Sequence, residues 1–374
     1  MKIETIETYH VRLPLVSPFA TSFGRFTEKD ALIVRLVTSE GIEGFGETAS
    51  LSVPLYSSDF TDSDRMVQER FLKPYLIGME GTDITHFLKP FAPIRGHNFA
   101  KAGVEMAIFD ALAKEKGMPL WQYLGGDDHD IPSGISLGIM PTIDALVKAV
   151  GDALGENYQR IKIKIKPGWD IEPVKELRRV FGNDFPLMVD ANSAYSQEDM
   201  PLLRKLDGYN LLMIEQPLSN DDIYDHAKVQ SQLRTPICLD ESIHSVDDAR
   251  YALELGSCKI INIKPGRVGG LYNSIRIHDT CYNHRDGSFT GRGMDRVPVW
   301  CGGMLETGVG RAHLLALQSL PGFTITGDTS PGKRYYSDDI VEPEIVMKKG
   351  FIEQSREPGI GYTVLMDKIK EIAL

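Results

Sequence analysis

A chain of 374 residues, 42% hydrophobic and 25% charged, is long enough for one large barrel with an accessory domain and carries no bias toward disorder. Its formal net charge of −11 argues against a surface for nucleic acid or anionic membrane, since either partner needs clustered positive potential. The opening segment MKIETIETYHVRLPL lacks the continuous apolar stretch of a signal peptide, and no run of about 18 apolar residues suggests a membrane span, so the expected compartment is the cytoplasm.

Residues 2–15 and 31–48 alternate in the manner of strands, with Ser39-Glu40-Gly41 supplying turn chemistry, so a β-meander is expected to open the chain. The stretches 17–27 and 48–60 have no periodicity and read as loops, long enough to serve as binding loops or lids. From about 63 to 117 the pattern is helical. Its clearest helix starts at Asn98 as N-cap, carries Ala102, Met106, Phe109 and Leu112 at helical spacing, and stops at Gly117. The paired glycines of 120-LWQYLGGD-127 mark a domain boundary.

Beyond residue 130 short apolar strands alternate with amphipathic helices. Strands are predicted at 134–139, 160–164, 186–191, 210–217, 236–241, 259–264, 298–302 and 323–327, with helices at 142–154, 173–181, 197–206, 245–255 and 271–283. Eight strands with crossover helices point to a parallel sheet, closed most economically into a barrel. The tail, 331–374, holds strand-like EIVMK and GYTVL and is expected to return to the first domain. Cys238, Cys258, Cys281 and Cys301 form no CxxC and read as reduced, mostly buried thiols.

In 160-RIKIKIKPGWD-170 the lysines 162, 164 and 166 alternate with isoleucine and leave one face of a strand. Taken alone, that is a strand with one wet side. The rest of the chain changes the reading: Lys164, Asp190, Glu215, Asp240 and Lys264 each end an apolar run, at separations of 26, 25, 25 and 24 residues, the length of one strand–helix unit. Five successive strands thus bring one charged group each to the same rim, which in a barrel is the active-site rim. A helix cap would explain any one carboxylate, but not five charged groups in register. Asp190, Glu215 and Asp240, with no His or Cys among them, make a hard-oxygen site suited to Mg²⁺, with Mn²⁺ as a substitute. Asn192 is placed to orient a carboxylate or bind a metal water. Lys162 is expected to depress the pKa of Lys164 by like charge, leaving Lys164 able to act as a general base. Lys264 arrives from the opposite side. Two lysines across a carboxylate-bound metal suggest proton abstraction beside a substrate carboxylate, through a metal-stabilised enediolate.

The KxK strand followed by Asp, Glu, Asp and Lys resembles the muconate-lactonising subgroup of the enolase superfamily. More narrowly, 160–170, 188-MVDAN-192, 214-IEQPL-218, 239-LDES-242, 262-NIKPGRVGG-270, 299-VWCGGMLETGVGRA-312 and 327-GDTSP-331 resemble o-succinylbenzoate synthases and N-succinylamino acid (N-acylamino acid) racemases. The resemblance implies an α/β fold, a (β/α)7β barrel over 126–330 under an N-terminal α+β capping domain over 1–125, with the 17–27 and 48–60 loops closing on it. It implies Lys164 as base, Lys162 as its pKa modifier, and Lys264 as the opposite acid/base or a cation for the intermediate. Asp190, Glu215 and Asp240 would bind Mg²⁺. Ser136 and Asn192 would lie near the substrate, Gly303 and Met304 near its succinyl or acyl end, and Arg267 would tune Lys264 by like-charge proximity. The substrate would be a small carboxylate, in menaquinone biosynthesis for the dehydration, and relatives are commonly homo-oligomers. Dipeptide epimerase, muconate cycloisomerase and a non-enzymatic metal-binding scaffold are the alternatives. Two departures stand out: an insertion at 284-HRDGSFTGRGMDR-296, expected as an exposed mobile loop or subunit contact at the bottom of the barrel away from Lys264, and Lys166, expected to be structural or solvent-exposed.

Overall fold

The computed structural model describes residues 1–285 and 296–374. Three antiparallel strands, Ile3–Ala20, Arg25–Thr38 and Glu43–Thr48, form the first sheet. The first two are longer than the alternation alone indicates: Phe19 pairs with Phe26 and Ala20 with Arg25, so most of the expected 17–27 loop is a hairpin that continues past an irregularity after Pro14. Small and hydroxyl residues conceal this strand because they carry little apolar periodicity. Only residues 21–24 form the turn, and Ala20 O accepts from Ile139 N at 2.9 Å on the barrel side.

Helix Asn98–Glu115 lies between this sheet and the barrel and is buried along nearly its whole length. Its N-cap is His97, in the left-handed region at φ 51°, and not Asn98. The Asn98 side chain instead donates to the carbonyls of His244 and Arg267 at 3.1 and 2.7 Å, a tertiary demand that overrides the capping preference. Sheet and helix approach so closely that a Cβ on Gly46 would overlap the carbonyl oxygen of Gly103.

Seven parallel strands follow in sequence order: Gly134–Leu137, Arg160–Lys164, Leu187–Asp190, Ile214–Glu215, Ile237–Leu239, Ile260–Ile263 and Val299–Cys301. The predicted eighth, 323–327, has no extended strand, yet it occupies the closing position. Ile325 N and Asp328 N donate to the carbonyls of Val299 and Cys301 at 3.5 and 2.8 Å, while Gly134 N donates to Gly327 O at 3.0 Å. The ends of the seven-stranded sheet are thereby joined, and the architecture is a TIM-like barrel with a capping domain.

The predicted barrel helices are present, among them Ile143–Gly155 capped by Thr142, Val246–Leu255 capped by Ser245, and Leu271–Asn283. Helix Gly308–Gln318, unassigned by pattern, is buried on every side and therefore has no amphipathic stripe to read. In the tail the pairing falls on Val341–Glu342 with Thr363–Val364, and EIVMK is not a strand. The C-terminus does reach the first sheet, where Leu374 N donates to His10 O at 2.8 Å. All four cysteines are free and buried. Lys166 is exposed in a turn closed by backbone bonds with Trp169. Residues 286–295 of the insertion lie outside the described residues, while Arg296 stacks over Tyr282 at 3.6 Å on the outer helix.

Two buried glutamates of the capping domain hold barrel helices by their N-termini. Glu47 accepts from Thr307 N, Thr307 Oγ1 and Gly310 N at 3.1, 2.6 and 2.8 Å, and Glu105 accepts from Leu271 N and Tyr272 N at 2.6 and 2.8 Å. Burial pushes the Glu105 carboxyl up to about 8, against the pull of those two amides. An acid whose pKa is raised on folding binds its proton more tightly in the folded state, so its contribution to stability is greatest below the unfolded value and is lost as pH rises toward 8. Glu105→Gln is expected to flatten the decline of Tm between pH 5 and 8, at a cost of about 1 kcal/mol for the weakened cap; an unchanged slope in a thermal-melt pH series would exclude this role.

Candidate active site

Register brings the charged strand ends together: Lys164 is the direct neighbour of Asp190, and Asp190 of Glu215. Lys164 Nζ donates to Asp190 Oδ2 at 2.6 Å and to Asn192 Oδ1 at 2.7 Å. Asn192 Nδ2 in turn donates to Glu241 Oε1 at 2.8 Å, which fixes the amide so that its oxygen faces the lysine. Lys162 Nζ lies 2.6 Å from Asp328 Oδ2, 3.2 Å from Glu215 Oε2 and 3.5 Å from Asp190 Oδ2. Asp328 also pairs with Arg160, and Lys162 and Arg160 both lie over the buried Trp300 ring, at 4.7 and 5.0 Å.

Across the mouth, Lys264 Nζ donates to Asp240 Oδ2 at 2.8 Å and to the Tyr56 hydroxyl at 3.1 Å. Arg267 pairs with the other Asp240 oxygen and donates to the carbonyls of Ile243 and Asn262 at 2.7 and 2.6 Å. The two sides meet at a cavity whose floor includes Lys162, Lys164, Lys264, Ser136 and Asn192, and whose roof comes from the capping domain through Phe19, Phe23, Phe26, Leu51 and Tyr56. Gly303 and Met304 line its wall.

The electrostatics follow from burial and partners. Burial disfavours charge on Lys162, but Asp328, Glu215 and Asp190 outweigh it and hold its pKa above that of a free lysine. Burial opposes charge on Lys264 too and is outweighed by Tyr56, Glu241 and Glu215. Against the burial penalty, Lys164 and Lys162 hold Asp190 down at about 2. Glu241 is pushed up to about 7 by burial and by Asp190.

Two family models match the chain: the mandelate racemase/muconate lactonizing enzyme N-terminal domain over residues 3–125 and the enolase C-terminal domain-like model over 145–368. An o-succinylbenzoate synthase of Geobacillus kaustophilus is 47% identical over 97% of this chain and 94% of its own length. The chain belongs to the enolase superfamily. An N-succinylamino acid racemase of Amycolatopsis is 44% identical over 100% of this chain and 98% of its own. An enolase-superfamily crystal structure from Listeria innocua superposes with a TM-score of 0.92 at 38% identity, covering 100% of this chain and 97% of that one.

Within this enolase-superfamily barrel the lysines 162, 164 and 264 and the three strand-end carboxylates gather at the mouth, but two electrostatic expectations change. Lys162 is surrounded by three carboxylates, so its field at Lys164 is offset and it does not act as a bare like charge. Arg267 is used entirely on Asp240, Tyr56 and carbonyls and does not line the cavity; the raised pKa of Lys264 runs opposite to a like-charge effect. Sequence reasoning missed Tyr56, Glu241 and Asp328. Asp328 ends the eighth predicted strand, so the strand-end logic applied once more would have found it. Tyr56 sits in an aperiodic loop and carries no such signal.

Enolase-superfamily enzymes generally use Mg²⁺. The chemistry of Asp190, Glu215 and Asp240 fits that ion: all three are buried oxygen donors, and the nearby Glu241 Oε2 and Asn262 Oδ1 are buried without hydrogen-bond partners. Each of the three is turned toward a lysine or arginine, so among the described residues the group of three acids or histidines whose donor atoms all lie within 4.8 Å is a different one, Asp59, Asp64 and His97 in the capping domain. No helix among the described residues is long and apolar enough to cross a membrane.

Because Asp328 is the shared counter-ion of Lys162 and Arg160, Asp328→Asn leaves two buried cations short of charge. It is expected to lower stability by about 3–5 kcal/mol, measured by urea denaturation; a loss below about 1 kcal/mol would mean that Glu215 and Asp190 suffice.

Proposed function

We propose that the chain removes the proton α to the carboxylate of a small-molecule acid and serves two reactions, dehydration to o-succinylbenzoate and racemisation of N-succinylamino acids. The observation that carries this reading is the pair Lys164 and Lys264, which come from well-separated strands, line one cavity, and are each held by their own carboxylate. Sequence identity of 44–47% to enzymes named for these two reactions supports the substrate class. In this reading residues 1–125 form the cap, 126–330 carry the chemistry and 331–374 brace the two.

Lys164, in its neutral form, takes the α-proton, and the electron pair left behind delocalises into the substrate carboxylate as an enediolate. In the dehydration the same ammonium returns a proton to the departing hydroxyl, so that water leaves from the face on which the proton was removed. In the racemisation Lys264 delivers a proton to the opposite face, and the reverse reaction exchanges the roles. Asn192, oriented by Glu241, positions the Lys164 amine, and Tyr56 holds Lys264 from the cap side. A divalent cation held by Asp190, Glu215 and Asp240, Mg²⁺ or in its place Mn²⁺, would supply positive charge to the substrate carboxylate as its proton departs. The aromatic roof excludes water from the reacting carbon.

Purified protein is expected to turn over both substrates, and activity on neither overturns the assignment. Lys164→Ala is expected to lower dehydration by about 10²–10⁴-fold. Lys264→Ala is expected to abolish racemisation while Lys164 still exchanges the α-proton of one enantiomer with D₂O; NMR that finds exchange of both enantiomers at the wild-type rate refutes the two-lysine scheme. Chelation with EDTA is expected to remove turnover and added Mg²⁺ to restore it, and full activity in the chelated enzyme contradicts the metal assignment.

A further inference from the structure

Away from the barrel mouth, the capping domain gathers a second set of acids. Asp59 lies on the segment after the first sheet, Asp64 on helix Thr61–Val67, and His97 just ahead of helix Asn98–Glu115; each offers a donor atom, and these atoms all lie within 4.8 Å of one another. Buried polar groups are normally hydrogen-bonded, because an unsatisfied one carries its full desolvation cost. Asp64 is completely buried, yet neither of its oxygens has a hydrogen-bond partner, and His97 Nδ1 is likewise buried and unpartnered.

The surrounding groups meet this need only in part: the Ser50 hydroxyl and the Ala100 amide pull the Asp64 pKa down, but neither reaches hydrogen-bond geometry on its oxygens. Lys29, whose charge acts on Asp64, has three ammonium protons and directs its hydrogen bonds to the carbonyls of Asp30 at 2.7 Å, Ala49 at 2.9 Å and Ser50. Asp59 accepts from Phe99 N at 3.1 Å through one oxygen, and the Ser58 hydroxyl approaches the other at 3.5 Å. Burial, with the neighbouring Asp59 adding to it, pushes the Asp64 carboxyl up to about 7.

We propose that Asp59, Asp64 and His97 form a second cation site, distinct from the catalytic one, that takes a single borderline divalent ion such as Zn²⁺ or Mn²⁺. Two carboxylates and an imidazole are a mixed oxygen–nitrogen set, which suits these ions better than Mg²⁺ with its preference for oxygen alone. Asp59 and Asp64 come from one stretch of chain, five residues apart, and His97 from a second. Leu51 O, at the start of the cap segment, already accepts from Thr61 N and Thr61 Oγ1 at 3.0 and 3.2 Å. An ion at this site ties the segment carrying Leu51 and Tyr56 to the helix packed on the barrel, so its first effect is on the stability of the cap.

The test uses the full-length enzyme saturated with Mg²⁺, exposed to Zn²⁺ or to Mn²⁺, passed through gel filtration and assayed for bound metal by elemental analysis, with Tm measured alongside. One additional equivalent of Zn²⁺ or Mn²⁺ is expected in the wild-type protein, with a rise of several degrees in Tm. Asp64→Asn and, separately, His97→Gln are expected to lose that equivalent and the rise while keeping Mg²⁺-dependent turnover. His97→Gln carries the test if Asp64→Asn does not fold. No additional equivalent, or the same equivalent retained in a folded variant through adventitious binding elsewhere, overturns the proposal. So does an Asp64→Asn protein that gains stability while wild-type and variant hold equal metal, since that is the behaviour of a buried acid that simply keeps its proton.

Discussion

A fully buried ammonium must be surrounded by opposite charge, and the position of Lys162 between Asp328, Glu215 and Asp190 sets the terms for the whole barrel mouth. Each of those carboxylates is itself buried and draws in a further partner: Arg160 on Asp328, Lys164 on Asp190, Asn262 on Glu215 at 2.7 Å. With Lys264, Arg267, Asp240 and Glu241 on the far side, and Glu306 lining the same cavity, the mouth gathers basic and acidic side chains that are all buried.

The spacing of Lys164, Asp190, Glu215, Asp240 and Lys264 made the barrel and most of its site legible before any coordinates, because a strand–helix unit of constant length turns a linear interval into a shared rim. What stayed hidden did so for identifiable reasons. Helix Gly308–Gln318 is buried all round and has no stripe; the hairpin at 17–27 is built from small and hydroxyl residues; and Asn98 has the composition of a cap but is engaged by carbonyls across the domain contact. The counter-ions of Lys162 belong to strands more than twenty residues away, so a like-charge argument made along one strand overlooked them.

Cap and barrel are joined by polar contacts buried among apolar ones. Glu47 and Glu105 reach from the capping domain to the N-termini of two barrel helices, Asn98 reaches the carbonyls of His244 and Arg267, and Tyr56 reaches Lys264 and Asp240. The first three fix the position of the capping domain on the barrel. Tyr56 differs because it touches Lys264 and Asp240 at the cavity itself, so movement of its segment alters the roof of the cavity and the setting of Lys264 together.

The segment that closes the barrel also carries Asp328. Gly327 O and Asp328 N complete the ring of backbone bonds, and one residue side chain further the carboxylate meets Lys162 and Arg160 beside Trp300. Closure and neutralisation are consequently linked: the segment that shuts the seam also brings Arg160 and Lys162 the carboxylate they share. In a chain with Trp121 and Trp169 replaced, the indole of Trp300, with Arg160 and Lys162 over its ring, would report by its fluorescence when the ring is sealed.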